Sequence, residues 1–185
     1  EGPDDAAWSL AHDFSSLVAN DGYMVITGAG DGIRGAAQEG AGRHRSFGAN
    51  IILPFEQEPN QEIKDDEKLV TFNYFFSRKL VFLKETDAIA LFPGGFGTMD
   101  ELFETLTLVQ TGKMSPIPII LFDREFWTNV VNLDVFVNAG TISPDDRNLF
   151  HYAETAEEAW EHLVEGGILN ETPLQADTHT VKPLI

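Results

Sequence analysis

The sequence predicts an α/β protein: a Rossmann-like, doubly wound sheet, mostly parallel, with helices on both faces. Three observations predict it. Short β-rich runs alternate with segments of helical apolar spacing along the whole chain. Several of the runs, such as residues 117–122 (Ile-Pro-Ile-Ile-Leu-Phe), are apolar throughout, which suits strands covered on both faces. Two glycine-rich turns, at residues 28–32 and 93–98, each follow a strand and precede a helix. Such turns lie at the carboxyl ends of the strands, where these sheets bind ligands.

Over residues 4–19, Trp8, Leu10, Ala11, Phe14, Leu17 and Val18 recur at helical spacing, and Asn20-Asp21-Gly22 ends the helix with turn chemistry. A strand over 23–27 enters the turn Gly28-Ala29-Gly30-Asp31-Gly32, and small residues carry a helix to Gly42. Residues 50–53 read as a strand stopped by Pro54. Residues 56–67 are polar, contain Pro59 and Asn60, and read as a loop over the ligand-binding edge. A strand over 68–72 precedes a helix over 74–84 that is apolar almost all round, which predicts burial. A strand over 88–92 leads to the second glycine turn and a helix over 99–111, ended near Gly112. A strand over 117–122, a helix over 125–138, a short strand over 149–152 and a helix over 155–165 complete a single domain, residues 1–165. The tail, residues 166–185, is polar and broken by Pro173 and Pro183. A helix is an odd opening for a doubly wound sheet, so the first strand of the sheet is expected upstream of Glu1.

Composition narrows the function. With 30 acids against 12 bases the net charge is −18, so the chain has few cations with which to neutralise a nucleic-acid backbone. No apolar run approaches the roughly 20 residues of a membrane span. The chain has no cysteine, which removes disulfides, thiolate metal sites and cysteine nucleophiles. Without a secretory leader, a cytoplasmic protein is expected. His12, His44, His151, His162 and His179 are scattered, with no metal-ligand spacing.

The chemistry-bearing residues fall in three places. In Pro93-Gly94-Gly95-Phe96-Gly97-Thr98 the glycines permit a tight turn and close approach of a ligand to the backbone. The helix that follows offers unpaired N–H groups and a positive dipole end, an anion site to which Thr98 adds a hydroxyl. Thr98-Met99-Asp100-Glu101 also matches a capping box, with Thr98 as N-cap and Glu101 reaching back, so the role of Glu101 stands open between cap and chemistry. Asp100, Glu101 and Glu104 crowd this helix start and would repel a phosphate there. An enzyme that needs a carboxylate beside a ribose gains from such an acid. Second, Arg78-Lys79 lie in the apolar helix. Arg78 is expected to have a partner for its fork of donors, and Lys79 to reach solvent along its stem. Third, Gly30-Asp31-Gly32-Ile33-Arg34-Gly35 satisfies G-x-G-x-x-G after a strand, and Glu56 follows at about the distance of a ribose-binding acid. That pattern admits an NAD-dependent oxidoreductase, though it leaves the second turn and Arg78 unused. It also admits a glycine turn that merely packs closely on the sheet.

Phe75-Phe76-Ser77-Arg78-Lys79, followed by Pro93-Gly94-Gly95-Phe96-Gly97-Thr98-Met99-Asp100-Glu101, resembles the LOG family. Its members have often been labelled possible lysine decarboxylases, and several are cytokinin riboside 5′-monophosphate phosphoribohydrolases. The resemblance runs from about Trp8 to Leu163. It implies a homodimer with the active site near the subunit interface, and hydrolysis of the N-glycosidic bond of an AMP-like nucleoside 5′-monophosphate to free base and ribose 5-phosphate. It implies no metal or redox cofactor. Arg78 and Glu101 match the catalytic pair. Gly94, Gly95, Phe96, Gly97 and Thr98 match the phosphate-binding turn, and Lys79 and Thr107 match further substrate contacts. Gly28, Gly30 and Asp31 of the first turn are expected to contact substrate as well. The lysine decarboxylase label finds no pyridoxal phosphate site. The family's first turn usually continues into a methionine where this chain has Arg34, a departure that bears on which base is accepted. A non-catalytic nucleotide sensor on the same fold is the alternative.

Overall fold

A computed structural model describes residues 5–54, 58–168 and 183–184. Residues 169–182 of the tail, and Glu56, lie outside the described residues. The chain runs α1 (Ala6–Asn20), β1 (Met24–Thr27), α2 (Ile33–Ala41), β2 (Ser46–Ile51), β3 (Leu69–Phe72), α3 (Phe75–Glu85), β4 (Ile89–Leu91) and α4 (Phe96–Gln110). It continues with β5 (Ile119–Phe122), α5 (Arg124–Val130), α6 (Leu133–Asn138), β6 (His151–Ala153), α7 (Ala156–Glu165) and β7 (Pro183–Leu184). The alternation read from the sequence is therefore present.

Every strand pairing is parallel. One ladder has the order β3-β2-β1-β7 and the other β4-β5-β6. Strand β5 shows why its sequence is apolar throughout. Ile119 and Leu121 pack on one side with Leu102, Trp127 and Phe150. Ile120 and Phe122 pack on the other with Phe14, Val18, Ala159 and Leu163. All four residues of the strand are buried, because a pleated strand with a core on each face has no solvent side. Helices α1 and α7 cover one face of this ladder and α4 and α5 the other. Gly40 allows α1 and α2 to pack at backbone distance: a Cβ there would lie 2.0 Å from the carbonyl oxygen of His12.

The structure departs from the sequence reading in particular places. β1 and β4 belong to separate ladders, and an apolar cavity of about 140 Å³ lies against Val25 and Ile26 of β1 and Ala90 and Phe92. Strand β2 begins at Ser46, earlier than the run at 50–53, and the buried Ser46 hydroxyl is satisfied by the carbonyls of Gln38 and Gly42. The helix expected over 125–138 is two. Asn132 accepts a hydrogen bond from the Asp134 amide and so caps a new helix, α6. Helix α3 was expected to be buried, yet only Phe82 is. Tyr74, Phe75, Phe76 and Leu80 are all more than half exposed, because the described chain places nothing over that face.

Candidate active site

The second glycine turn opens a helix, as its composition suggests, with a shifted boundary. Helix α4 begins at Phe96 with Gly95 as N-cap, three residues before the position the capping box requires. The first helical bond at this end is from the Met99 amide to the Gly95 carbonyl, at 3.1 Å. The amides of Phe96, Gly97 and Thr98 thus precede the helix ladder and have no side-chain cap. They face the positive end of the helix dipole, where an anion is favoured. Gly94 is required by packing: a Cβ there would lie 2.1 Å from the Oγ1 of Thr98 and 2.9 Å from its Cβ. Gly95 and Gly97 differ, since a Cβ at either would meet nothing within 4 Å. Two of the three glycines therefore open onto free space, and one holds the turn against Thr98.

Because the helix starts early, Glu101 stands in its second turn and does not cap it. Its carboxylate is half-buried and faces Arg78 across a cleft, with no ion pair within 4 Å joining the two. Burial pushes the Glu101 carboxyl above its ordinary value, while Arg78 and then Lys79 pull it back.

The two cations of α3 exchange the roles expected of them. Lys79 does not reach free solvent. Its Nζ lies 2.5 Å from Asp100 and 3.1 Å from Glu104, which raises its own pKa through those hydrogen bonds. Arg78 has no ion pair among the described residues. Its guanidinium lies over the rings of Phe75 (5.1 Å) and Phe82 (5.8 Å), and its Nε is buried without a hydrogen-bond partner. Cation–π contact holds it in place and leaves donors uncommitted. Burial depresses its pKa and Glu101 offsets this, but a guanidinium stays charged. The acid crowding at α4 is resolved by the same exchange. Lys79 pairs with two of the three acids, and Glu101 alone of the three has no ion pair among the described residues.

The first glycine turn is partly structural. Asn60 donates through Nδ2 to the carbonyls of Ala29 (3.1 Å) and Gly30 (3.0 Å) and to the side chain of Gln38 (2.6 Å). Gly35 packs against the same Asn60. The turn therefore has a packing reason for its small residues, which weakens the dinucleotide reading. Gly28 lies beside two arginines. A Cβ there would lie 3.4 Å from the Nη1 of Arg34 and 3.7 Å from the Nη1 of Arg78, so the two guanidiniums are at most about 7 Å apart.

These parts bound a cleft of about 470 Å³, within the usual range for small-molecule sites. Gly28, Asp31, Arg34, Arg78, Gly94, Gly95, Gly97, Thr98 and Glu101 form its wall. Other residues singled out in the sequence fall outside it. Lys79 is held by its two acids, and the Phe96 ring is 95% exposed. Thr107 is exposed and donates to the Phe103 carbonyl, and Gly30 turns its carbonyl to Asn60. His151 and His162, scattered in sequence, stack at 4.3 Å away from the cleft wall.

Residues 32–163 match the family described as possible lysine decarboxylase. The chain belongs to this family, the LOG family. One relative from Arabidopsis thaliana, named "Probable cytokinin riboside 5′-monophosphate phosphoribohydrolase LOG6", is 32% identical over 165 residues, 87% of this chain and 79% of that protein. Another from the same plant, cytokinin riboside 5′-monophosphate phosphoribohydrolase LOG2, is 29% identical over 87% of this chain and 75% of its own length. Among solved structures, the molybdenum cofactor binding protein of the phototrophic bacterium Rippkaea orientalis shares the fold, with a TM-score of 0.57, 17% identity and 91% of each chain covered. The α/β architecture of this LOG-family chain thus agrees with that neighbour. Among the described residues no helix is long and apolar enough to cross a membrane.

Sequence reasoning noted Arg34 as a departure from the family's methionine but passed over Asn60 as a site-building residue. Asn60 lay in a polar loop with no signal beyond its composition.

Proposed function

We propose that this LOG-family chain hydrolyses the N-glycosidic bond of a nucleoside 5′-monophosphate, releasing the base and ribose 5-phosphate. One observation carries the reading. Glu101, freed from helix capping, faces Arg78 across a cleft whose far end is the uncapped start of α4. The phosphate takes the amides of Phe96, Gly97 and Thr98, which places the sugar one helical turn along, beside Glu101. Breaking the C1′–N bond develops positive charge on the ribose. The Glu101 carboxylate stabilises that charge or takes a proton from the attacking water, and its raised pKa suits a base. Arg78 orients Glu101 and the substrate. The water oxygen bonds to C1′, and the base leaves with the electron pair of the broken bond and a proton. The relatives' names, which specify cytokinin riboside 5′-monophosphates, agree with this reaction class.

The exposed apolar face supports a homodimer. Tyr74, Phe75, Phe76 and Leu80 of the α3 region and Phe96 and Phe103 of α4 are all exposed, on two helices joined by the Lys79 clamp. A second copy over this face would close the cleft from one side and remove Phe96 from water. Light scattering that gives a monomer at micromolar concentration would refute this arrangement.

Chromatography of a nucleoside monophosphate panel tests the reaction. The wild-type chain should release base and ribose 5-phosphate in equal amounts, and Glu101→Gln should bind nucleotide yet release none. Undiminished turnover in Glu101→Gln removes that residue from the mechanism. Nucleotide binding without turnover in the wild-type chain leaves a sensor on the same fold.

A further inference from the structure

The first glycine turn holds an alanine in a conformation that suits glycine. Ala29 has φ +62°, in the left-handed region that other L-residues rarely adopt, and it is fully buried. An alanine stays there only where its surroundings over-determine it. Three contacts do so. Its amide donates to Thr27 Oγ1 at 3.0 Å. Its carbonyl accepts from the Asn60 amide at 2.8 Å and from Asn60 Nδ2 at 3.1 Å. Its methyl lies over β2, where a Cβ at Gly48 would come within 3.1 Å of it.

Asn60 is the centre of this support. It lies in the connection between β2 and β3, yet it is only 5% exposed. Its Nδ2 also donates to the Gly30 carbonyl at 3.0 Å and to Gln38 Oε1 at 2.6 Å, and its Oδ1 accepts from the Glu62 amide at 3.1 Å. Gln38 is fully buried and donates through Nε2 to the Phe47 carbonyl at 3.2 Å. Every polar atom of both side chains therefore has a partner, and the network ties the turn to α2 and β2. Asparagine suits the place, because its nitrogen donates to carbonyls while its oxygen accepts from an amide. Aspartate would set an acceptor against the Ala29 and Gly30 carbonyls.

What the network fixes lies in the cleft. Gly28 and Asp31, on either side of Ala29 and Gly30, belong to the cleft wall, and a Cβ at Gly28 would lie 3.7 Å from Arg78 Nη1. Neither Asn60 nor Gln38 lines the cleft. We propose that Asn60, braced by Gln38, is a positioning residue: it holds Ala29 left-handed and so sets the wall formed by Gly28 and Asp31 against the nucleotide. The inference rests on the hydrolase reading above for the identity of the ligand. Arg78 keeps its own support on Phe75 and Phe82, so loosening the turn weakens binding more than it slows bond cleavage.

The test compares the wild-type chain with Asn60→Ala, Ala29→Gly and the double variant, with AMP as the probe and well below the lowest melting temperature. Base release gives kcat and KM. Titration calorimetry in the Glu101→Gln background, which should not consume the probe, gives Kd. Asn60→Ala should raise KM and Kd together by about tenfold and lower kcat by less than about threefold. Ala29→Gly alone should leave all three within about twofold, since glycine takes positive φ freely. In the double variant the turn no longer needs holding, so KM should return to within about threefold of the wild type. Its melting temperature should stay at or below that of Asn60→Ala, because the hydrogen bonds remain lost. A KM unmoved by Asn60→Ala, or no recovery in the double variant, shows a role in stability alone and overturns the proposal. If Asn60→Ala does not fold, Gln38→Met, which removes only the brace, should raise KM about threefold, again reversed by Ala29→Gly. An unchanged KM in Gln38→Met then overturns the proposal. If the wild-type chain binds AMP without cleaving it, the hydrolase reading fails alone, and the same pattern in Kd decides. If it binds no nucleotide, both readings fall.

Discussion

Replacing two glycines of the 93–98 turn by alanine separates folding from function, because the structure gives them different surroundings. At Gly97, in the first turn of α4, an added methyl meets nothing within 4 Å. Alanine there removes backbone freedom from the unfolded chain and suits the helix, a gain of about 0.5–1 kcal/mol. For a chain of 185 residues this corresponds to roughly 1–4 °C in melting temperature. The same methyl enters the cleft beside the amides assigned to phosphate, so kcat/KM should fall by at least about tenfold, the equivalent of roughly 1.4 kcal/mol. At Gly94 the methyl lies 2.1 Å from Thr98 Oγ1 and 2.9 Å from Thr98 Cβ. The start of α4 must then move by about 1 Å, an overpacking that costs about 1–3 kcal/mol and disturbs the amides as well. Gly94→Ala should therefore lose both stability and activity, and adding Thr98→Ala should restore part of the stability by removing the nearest atom. The assays are differential scanning calorimetry and chromatographic detection of released base. A Gly97→Ala variant that is stabilised and fully active would show that no phosphate approaches these amides. A Gly94→Ala variant with an unchanged melting temperature would refute the described packing.

Glu101→Gln should raise the melting temperature at pH 7 while abolishing turnover. Burial lifts the folded-state pKa of this acid above its ordinary 4.5, so the stability it contributes is full below that value and is lost as pH rises through the folded value. The amide removes that loss, a gain on the order of 1 kcal/mol, and calorimetry at pH 7 and pH 4 should show the advantage only at the higher pH. The same shift places the acid limb of kcat/KM above pH 4.5, and Arg78→Met should move the limb further up, since Arg78 is the first group holding the carboxyl down. A limb that stays in place in Arg78→Met would uncouple the pair. Lys79→Met leaves Asp100 and Glu104 uncompensated at the phosphate end, so KM should rise several-fold more than kcat falls; equal effects on both would place Lys79 at the reacting bond. Trp127→Ala removes a ring that is 1% exposed and donates to the Phe122 carbonyl at 2.8 Å, and equilibrium denaturation should show a loss of about 3–5 kcal/mol.

The fold was legible because its signals are periodic and local. Buried parallel strands write continuous apolar runs, as Ile119, Ile120, Leu121 and Phe122 do. The helices write a 3.6-residue spacing, as Phe14 and Val18 do in α1. The pair proposed for catalysis, Arg78 and Glu101, came from resemblance and from one tension: acids crowding a helix start that ought to hold phosphate. What the sequence does not carry is the partner of each charge. Arg78 and Lys79 are neighbours on one helix, and nothing in their order says that one turns toward Asp100 and Glu104 while the other lies on Phe75 and Phe82. That choice depends on how α3 packs beside α4, a long-range fact. The start of α4 was misread for a related reason. Thr98 and Glu101 satisfy a capping box in spacing, but a Gly95 N-cap extends the helix backward and places Thr98 against Gly94.

The exposed side of α3 follows from the same limit and bears on the mechanism. An apolar helix between two strands reads as core, since within one chain only a core removes Tyr74, Phe75, Phe76 and Leu80 from water. The structure leaves them exposed beside Arg78, whose guanidinium rests on Phe75, itself half-exposed. A cation held by an aromatic ring at the surface is positioned only as well as that ring is. Covering Phe75 with a second copy would fix the ring, exclude water from the Arg78 side of the cleft and strengthen the attraction between Arg78 and Glu101 as the local dielectric falls. Turnover per chain should therefore rise with the dimer fraction on dilution across the dissociation constant. Activity strictly proportional to chain concentration through that range would show that one chain positions Arg78 unaided.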